Sequence, residues 1–367
     1  MRLACLYAGR AEGHSWPNPA VGCVLVSADE KLVAVGATAS GGRPHAEAVA
    51  LFNAEQAGKT TEVKGGTAYV TLEPCAHEGR GPACAELLVK AGLRRVVYAV
   101  ADPDERVNGK GRARLIDGGV DVDSGLCEQV ALSGLNGFLS SRRRNRPYLT
   151  SKIATSADGF ISAAAGQQTW LTNDVSRMYV HDLRSRMDGL ITGIETVLVD
   201  DPALTCRIAG PRQRTPVRIV VDSDLRLPVD SQLVQTSAEG PVVVFCASDA
   251  DKGAEARLGD AGVTVVRLSR GKEGLVLCEG LDWCAQKGLS AILVEAGTRL
   301  NNSLFTAGLL DKIIHLTAET SLNTGVPGLL YDAKVSSALA FRDDTAYIRS
   351  HSGHLSGDRL TIWQKPS

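Results

Sequence analysis

At 367 residues the chain exceeds what one ordinary hydrophobic core organises, so two domains are expected. Its 44% hydrophobic and 22% charged residues describe a folded protein and exclude a disordered one. Lys and Arg total 40 against 41 Asp and Glu, and the net charge of −1 argues against a dedicated nucleic-acid binder, which needs excess cations to displace counterions.

Taken in chain order, residues 3–8 read as a truncated amphipathic helix, broken at Pro17-Asn18-Pro19. Residues 21–27 and 31–37 read as two strands about a turn at Asp29-Glu30. A helix over about 45–57 stops at Gly58. Residues 67–72 form a strand that runs into Glu73-Pro74-Cys75, residues 84–90 a helix stopped by Gly92, and residues 95–100 the next strand. Residues 112–117 and 120–123 continue the alternation, which predicts an α/β fold with partly parallel pairing. The basic run 140–147 reads as a solvated linker. Beyond Pro147 the pattern restarts. Strands are expected at 148–154, 189–193, 217–221, 242–245, 263–268, 291–294 and 313–317, and helices at 174–186, 254–260, 275–287 and 299–307.

The nine cysteines form no disulfide-like framework. Cys5, Cys23, Cys127, Cys206, Cys246, Cys278 and Cys284 are expected to be small buried hydrophobes. The amino end shows no secretory signal and no segment is apolar enough to span a bilayer, so a cytoplasmic location is expected.

Chemistry concentrates in two short stretches. His45-Ala46-Glu47 opens one helix; Pro74-Cys75 follows a strand, and Cys84 begins another helix. Zinc takes imidazole and thiolate ligands and, in catalytic sites, keeps one position for water. His45, Cys75 and Cys84 supply three ligands. Glu47 supplies a carboxylate that need not touch the metal and is suited to move a proton from the attacking water to departing ammonia. Residues two apart share no face in mid-helix, so His45 and Glu47 act together only at a helix mouth. Cys84 at a helix start gains from the positive end of the dipole. This is the inventory of a hydrolytic zinc deaminase, except that eight residues separate the cysteines where two are usual.

Two features of the second half read on their own. Arg177, His181 and Arg184 share one helix face, which a solvated surface would equally explain. Gly297-Thr298 lies between a strand and a helix, where backbone N–H groups suit a cofactor phosphate, although an ordinary turn would also place a glycine there.

The motifs Pro17-Asn18-Pro19-Ala20-Val21-Gly22, His45-Ala46-Glu47, the run 71–84, Asp102-Pro103, the runs 152–159 and 196–205, Val221-Asp222-Ser223 and Val294-Glu295-Ala296-Gly297 follow one another over about residues 17–310. On them the chain resembles the bifunctional riboflavin-biosynthesis deaminase/reductase family, which carries an insertion between the two cysteines. The resemblance implies an N-terminal cytidine-deaminase-like three-layer domain over 1–144 and a C-terminal dihydrofolate-reductase-like α/β domain over 145–367. It implies hydrolytic deamination of 2,5-diamino-6-(5-phosphoribosylamino)pyrimidin-4(3H)-one. NADPH-dependent reduction of the ribosyl group to give 5-amino-6-(5-phosphoribitylamino)uracil would follow, so Zn2+ and NADPH are the implied cofactors.

By the same resemblance, Asn18, His77, Arg80 and Asp102 would bind the first substrate, with Arg80 the natural phosphate ligand. Ala154, Trp170, Thr196, Asp200, Ser223 and the segment Gly297, Thr298, Arg299, Leu300, Asn301, Asn302 and Ser303 would meet NADPH. Gln168, Arg184, Leu204, Arg207 and Glu295 would meet the reductase substrate, Arg184 and Arg207 through its phosphate, with Lys152 and Glu295 nearest the reacting carbonyl. Asp104 stands where the family usually has Asn, and Gln168 where Ser is more usual. The expected partner is a small phosphorylated pyrimidine, with neither nucleic acid nor membrane, and a homo-oligomer is expected. Two other readings stand beside this one: a nucleobase, nucleoside or tRNA deaminase with an unrelated second domain, and a chain whose reductase half serves only as a binding or assembly module.

Overall fold

The computed structural model describes residues 1–77, 81–104, 107–208, 214–272, 274–328 and 347–366. Its contacts divide the chain into Met1–Pro147 and Tyr148–Ser367. The first unit runs α1 (Arg2–Ala11), β1 (Gly22–Val26), β2 (Leu32–Ala37), α2 (Ala46–Gln56), α3 (Thr60–Val63), β3 (Thr67–Leu72), α4 (Cys84–Lys90), β4 (Arg95–Val100), α5 (Lys110–Asp117), β5 (Asp121–Ser124) and α6 (Glu128–Arg144). The strands lie in the order β2-β1-β3-β4-β5, with β2, β1 and β3 antiparallel and β3, β4 and β5 parallel. β4 buries every residue after Arg95, as a strand covered on both faces must.

Two glycines set the layers. A Cβ on Gly22 would lie 1.9 Å from the Ala4 carbonyl oxygen in α1, and one on Gly36 would lie 2.3 Å from that of Ala46 in α2. Cys23 pairs with Gly36 across the β1–β2 ladder, so Gly22 and Gly36 point to opposite faces. α1 therefore covers one face and α2 the other, each laid backbone-to-backbone on the sheet. The result is three layers around a core that includes Leu25, Val70, Leu88, Leu115 and Leu135.

The basic run expected as a linker mostly belongs to a helix instead. α6 spans 17 residues and buries Ala131, Leu135, Phe138 and Leu139, spaced for one helical face. Arg142, Arg143 and Arg144 fill its last turn, where cations complement the helix C-terminus, and Asn145 ends it in the left-handed region at φ 51°. Ser140 is buried and donates to the Arg146 carbonyl at 2.8 Å. A further correction concerns the cysteines. Cys23, Cys206, Cys246 and Cys284 are buried as expected, but Cys5 and Cys127 are half-buried and Cys278 is exposed.

The second unit runs β6 (Tyr148–Thr155), β7 (Phe160–Ser162), α7 (Asp174–Ser185), β8 (Gly189–Gly193), α8 (Ile194–Asp200), β9 (Val217–Val221), α9 (Gln232–Gln235), β10 (Val242–Ala247), α10 (Lys252–Asp260) and β11 (Thr264–Leu268). It continues with β12 (Arg270–Gly271), β13 (Gly274–Leu275), α11 (Leu277–Gln286), β14 (Ala291–Val294), α12 (Thr298–Thr306), β15 (Lys312–Thr317), β16 (Val326–Pro327), β17 (Ile348–Leu355) and β18 (Asp358–Gln364). Its main sheet has the order β11-β10-β9-β8-β14-β6-β15-β18-β17. The strands from β11 to β15 are parallel, and the β17–β18 hairpin adds an antiparallel edge. The chain steps outward from β6 through β8, β9 and β10 to β11, then returns to set β14 beside β6 and β15 on its other flank. Such a reversal leaves a crevice at the carboxyl ends of the strands.

Candidate active sites

The first site assembles at two helix starts. His45 is the N-cap of α2 and Cys84 the first residue of α4, while Cys75 leaves the end of β3. His45 Nδ1 lies 3.3 Å from Cys84 Sγ and 3.7 Å from Cys75 Sγ, and the Cys84 backbone N–H donates to Cys75 Sγ at 3.3 Å. The three ligand atoms lie within 4.8 Å of one another. Hydrogen bonds from Cys84 and His45 outweigh burial and hold the Cys75 thiol down at about 4, while the neighbouring Cys75 and burial push Cys84 far up. One imidazole and two thiols converging this closely are the donor set that zinc takes, so the residues fit the metal.

Glu47 sits in the first turn of α2 and is buried. Burial pushes its carboxyl up to about 7 against the opposing pull of His45. A cavity of about 80 Å³ lies against it, bordered by Asn18, His77 and Asp102 together with His45 and Cys75. Asn18 is fixed by donating its side-chain amide to the Gly42 carbonyl at 2.8 Å. Burial raises Asp102 to about 6, although it accepts the Asp104 backbone N–H at 2.9 Å. Arg80 lies outside the described residues.

Two further lining residues carried no role in the sequence reading. Glu73 accepts the Gly109 and Arg112 backbone N–H groups at 3.2 and 3.0 Å, clamping the start of α5 beside Cys75. Arg142 reaches the cavity from the end of α6, its Nε 3.7 Å from Asp104 Oδ2. The apolar spacing along α6 was the signal that would have placed it on a helix.

The second site is a crevice of about 1610 Å³ over the carboxyl ends of β6, β8, β9 and β14. Lys152, Ala154, Gln168, Trp170, Arg184, Thr196, Asp200, Leu204, Arg207, Ser223, Glu295, Gly297, Thr298, Arg299, Leu300 and Ser303 all line it. Asn301 and Asn302 do not. Asn301 turns inward, accepting from Ser151 Oγ at 2.7 Å and donating to the Ala296 carbonyl at 2.6 Å, so it braces the Gly297 turn from behind. Trp170 is 72% exposed, and the Arg177 guanidinium lies 5.5 Å from its ring centre.

Arg184 has an occupation that its sequence neighbourhood did not reveal. Its Nε and Nη2 donate to the two Glu295 oxygens at 2.6 and 3.0 Å, and Nη1 donates to the Thr205 carbonyl at 3.1 Å. Lys152 Nζ stands 3.6 Å from Glu295 Oε2. Burial alone would raise Glu295, but Arg184 and then Lys152 bring it down to about 2. Arg177 and His181 also line the crevice, and His181 Nδ1 accepts the Arg207 backbone N–H at 3.3 Å. The crevice fits a dinucleotide by size, and the N-terminus of α12, capped by Gly297, opens onto it.

Fold and sites together define a two-domain enzyme, a cytidine-deaminase-like zinc-site domain followed by a reductase domain. A family model described as the cytidine and deoxycytidylate deaminase zinc-binding region matches residues 1–100, and one described as the RibD C-terminal domain matches residues 147–322. The riboflavin biosynthesis protein RibD of Aquifex aeolicus is 35% identical over 326 residues, covering 89% of this chain and 88% of its own. That of Escherichia coli is 36% identical over 340 residues, covering 90% and 89%. Acinetobacter baumannii RibD has a solved structure with TM-score 0.81 at 33% identity, covering 100% of this chain and 98% of that one. A Thermotoga maritima structure, titled a diaminohydroxyphosphoribosylaminopyrimidine deaminase/5-amino-6-(5-phosphoribosylamino)uracil reductase, gives TM-score 0.84 at 25% identity, covering 100% and 97%. The chain belongs to the RibD family of bifunctional deaminase/reductases of riboflavin biosynthesis.

Proposed function

We propose that His45, Cys75 and Cys84 hold Zn2+ and that the first unit deaminates 2,5-diamino-6-(5-phosphoribosylamino)pyrimidin-4(3H)-one. The observation that carries this is the convergence of the three ligand atoms within 4.8 Å beside a buried carboxylate. Zinc, when bound, acidifies a water toward neutral pH. Glu47 would accept a proton from the water that attacks the amine-bearing carbon and return one to the leaving amine, so that ammonia departs as the carbonyl forms. Asn18, His77 and Asp102 orient the ring and ribose.

The second unit reduces the ribosyl group of the deaminated product to ribityl, and NADPH supplies the hydride. Thr298, Arg299 and the Gly297 turn bind the cofactor phosphates, and Ala154, Trp170, Thr196, Asp200 and Ser223 line its path along the crevice. Lys152 stands at the reacting carbonyl, with its charge balanced by Glu295. Arg184 acts through Glu295, which it holds by both oxygens, and this leaves Arg207 for the substrate phosphate. The enzyme works in the cytoplasm as a homo-oligomer.

A coupled assay tests the scheme: purified protein, the phosphorylated diaminopyrimidinone and NADPH, with ammonia and absorbance followed together. NADPH loss is expected only after ammonia release begins. Ammonia without NADPH oxidation would leave the second unit a binding module, and neither signal would overturn the proposal.

A further inference from the structure

We propose that Arg142 is a ligand for the phosphate of the deaminase substrate; this rests on the substrate reading given above and deepens it. Asp102 and Asp104 bring two poorly exposed carboxylates to the cavity that holds His45 and Glu47. A phosphate ester entering that cavity meets repulsion from both unless a cation faces them. Among the described lining residues the guanidinium groups are Arg43 and Arg142. Arg43 lies two residues before the His45 ligand on the chain entering α2, whereas Arg142 comes from the end of α6 on the Asp104 side.

Arg142 is also held in the state a phosphate ligand needs. Its guanidinium rests over the Phe138 ring one turn earlier, 5.4 Å from the ring centre, which limits the freedom lost on binding. Its Nε stands 3.7 Å from Asp104 Oδ2, close enough for attraction but beyond a direct hydrogen bond. The planar fork is therefore not committed to Asp104 and can donate two N–H groups to a phosphate. Its side chain is 43% exposed, as suits a group reaching the mouth of the site rather than its floor.

The competing role is a counter-charge that merely offsets Asp104, and a double-variant cycle separates the two. Steady-state ammonia release is measured for wild type, Arg142→Gln, Asp104→Asn and the double variant. Each is assayed on the phosphorylated diaminopyrimidinone and on its dephosphorylated riboside, with zinc content determined alongside. Arg142→Gln is expected to raise KM for the phosphorylated substrate by about 10- to 100-fold, the worth of a charge-assisted contact, with kcat and zinc unchanged. Turnover of the riboside is expected to be unaltered, which also shows that the variant is folded, and Arg142→Lys should recover part of the loss. In the double variant the high KM should persist. Return of the double variant to the wild-type KM, or an equal loss on both substrates, would overturn the inference while leaving the deaminase reading intact. No ammonia from wild type on either substrate would remove both.

Discussion

In the deamination proposed above, Glu47 is a buried carboxylate that moves protons without being a metal ligand. It lies in the first turn of α2 beside His45, shielded from water, with burial already favouring its protonated form. Glu47→Gln preserves shape and hydrogen bonding but cannot shuttle a proton. Metal analysis should find full zinc, while ammonia release falls by about 10²- to 10⁴-fold. Loss of zinc as well would show that Glu47 supports the ligands rather than the reaction. Glu295 makes the complementary case, since it is buried between two cations and accepts from Arg184 Nε and Nη2. Replacing it with Gln strands Arg184, itself nearly buried, without its countercharge. Breaking a buried pair from one side costs about 3–5 kcal/mol, and denaturant unfolding of Glu295→Gln should read that loss.

At the scale of elements, β15 carries a titrating group in the middle of a packed sheet. His315 Nε2 lies 2.8 Å from Thr155 Oγ1 on neighbouring β6, and burial, with Arg359 adding to it, lowers the ring from 6.5 to about 4. Below pH 6.5 the unfolded chain takes up a proton that the native ring refuses until about pH 4. The unfolded state binds more protons across that window, so stability falls as pH drops through it, by about 3 kcal/mol in all. Urea unfolding at pH 7 and pH 4.5 should show a shallower decline for His315→Gln than for wild type. Equal slopes would place the acid sensitivity elsewhere. Elements of this kind differ in how far local sequence announces them. β3, α4, β4, β8, β9 and β14 keep the bounds that their apolar runs and flanking glycines and prolines suggest. α6 did not declare itself because three arginines and two serines dominate its end, and only the buried spacing behind them carries the helix. β17 is mostly exposed and rich in Ser, His and Gly, so its strand state depends on pairing with β18. The same division runs through the sites. The proposed metal set is local chemistry at fixed spacing, whereas the Arg184–Glu295 fork joins residues 111 positions apart and only the folded sheet creates it.

For the whole molecule the consequence is chemical independence of two activities carried on one chain. Among the described residues, the cavity beside His45 and Glu47 is lined by residues of the first unit alone, and the crevice around Lys152 and Glu295 by residues of the second alone. No described side chain lines both, so a lesion in one set is expected to remove one reaction and spare the other. Glu47→Gln, supplied with the already deaminated phosphoribosylaminouracil, should oxidise NADPH at the wild-type rate although it releases almost no ammonia from the diaminopyrimidinone. Glu295→Gln, assayed at a temperature where it remains folded, should do the reverse. Absorbance and ammonia measurements on the two variants decide the matter. A drop in NADPH oxidation in Glu47→Gln would mean that the reductase depends on a working deaminase site, a dependence for which no described lining residue provides the link.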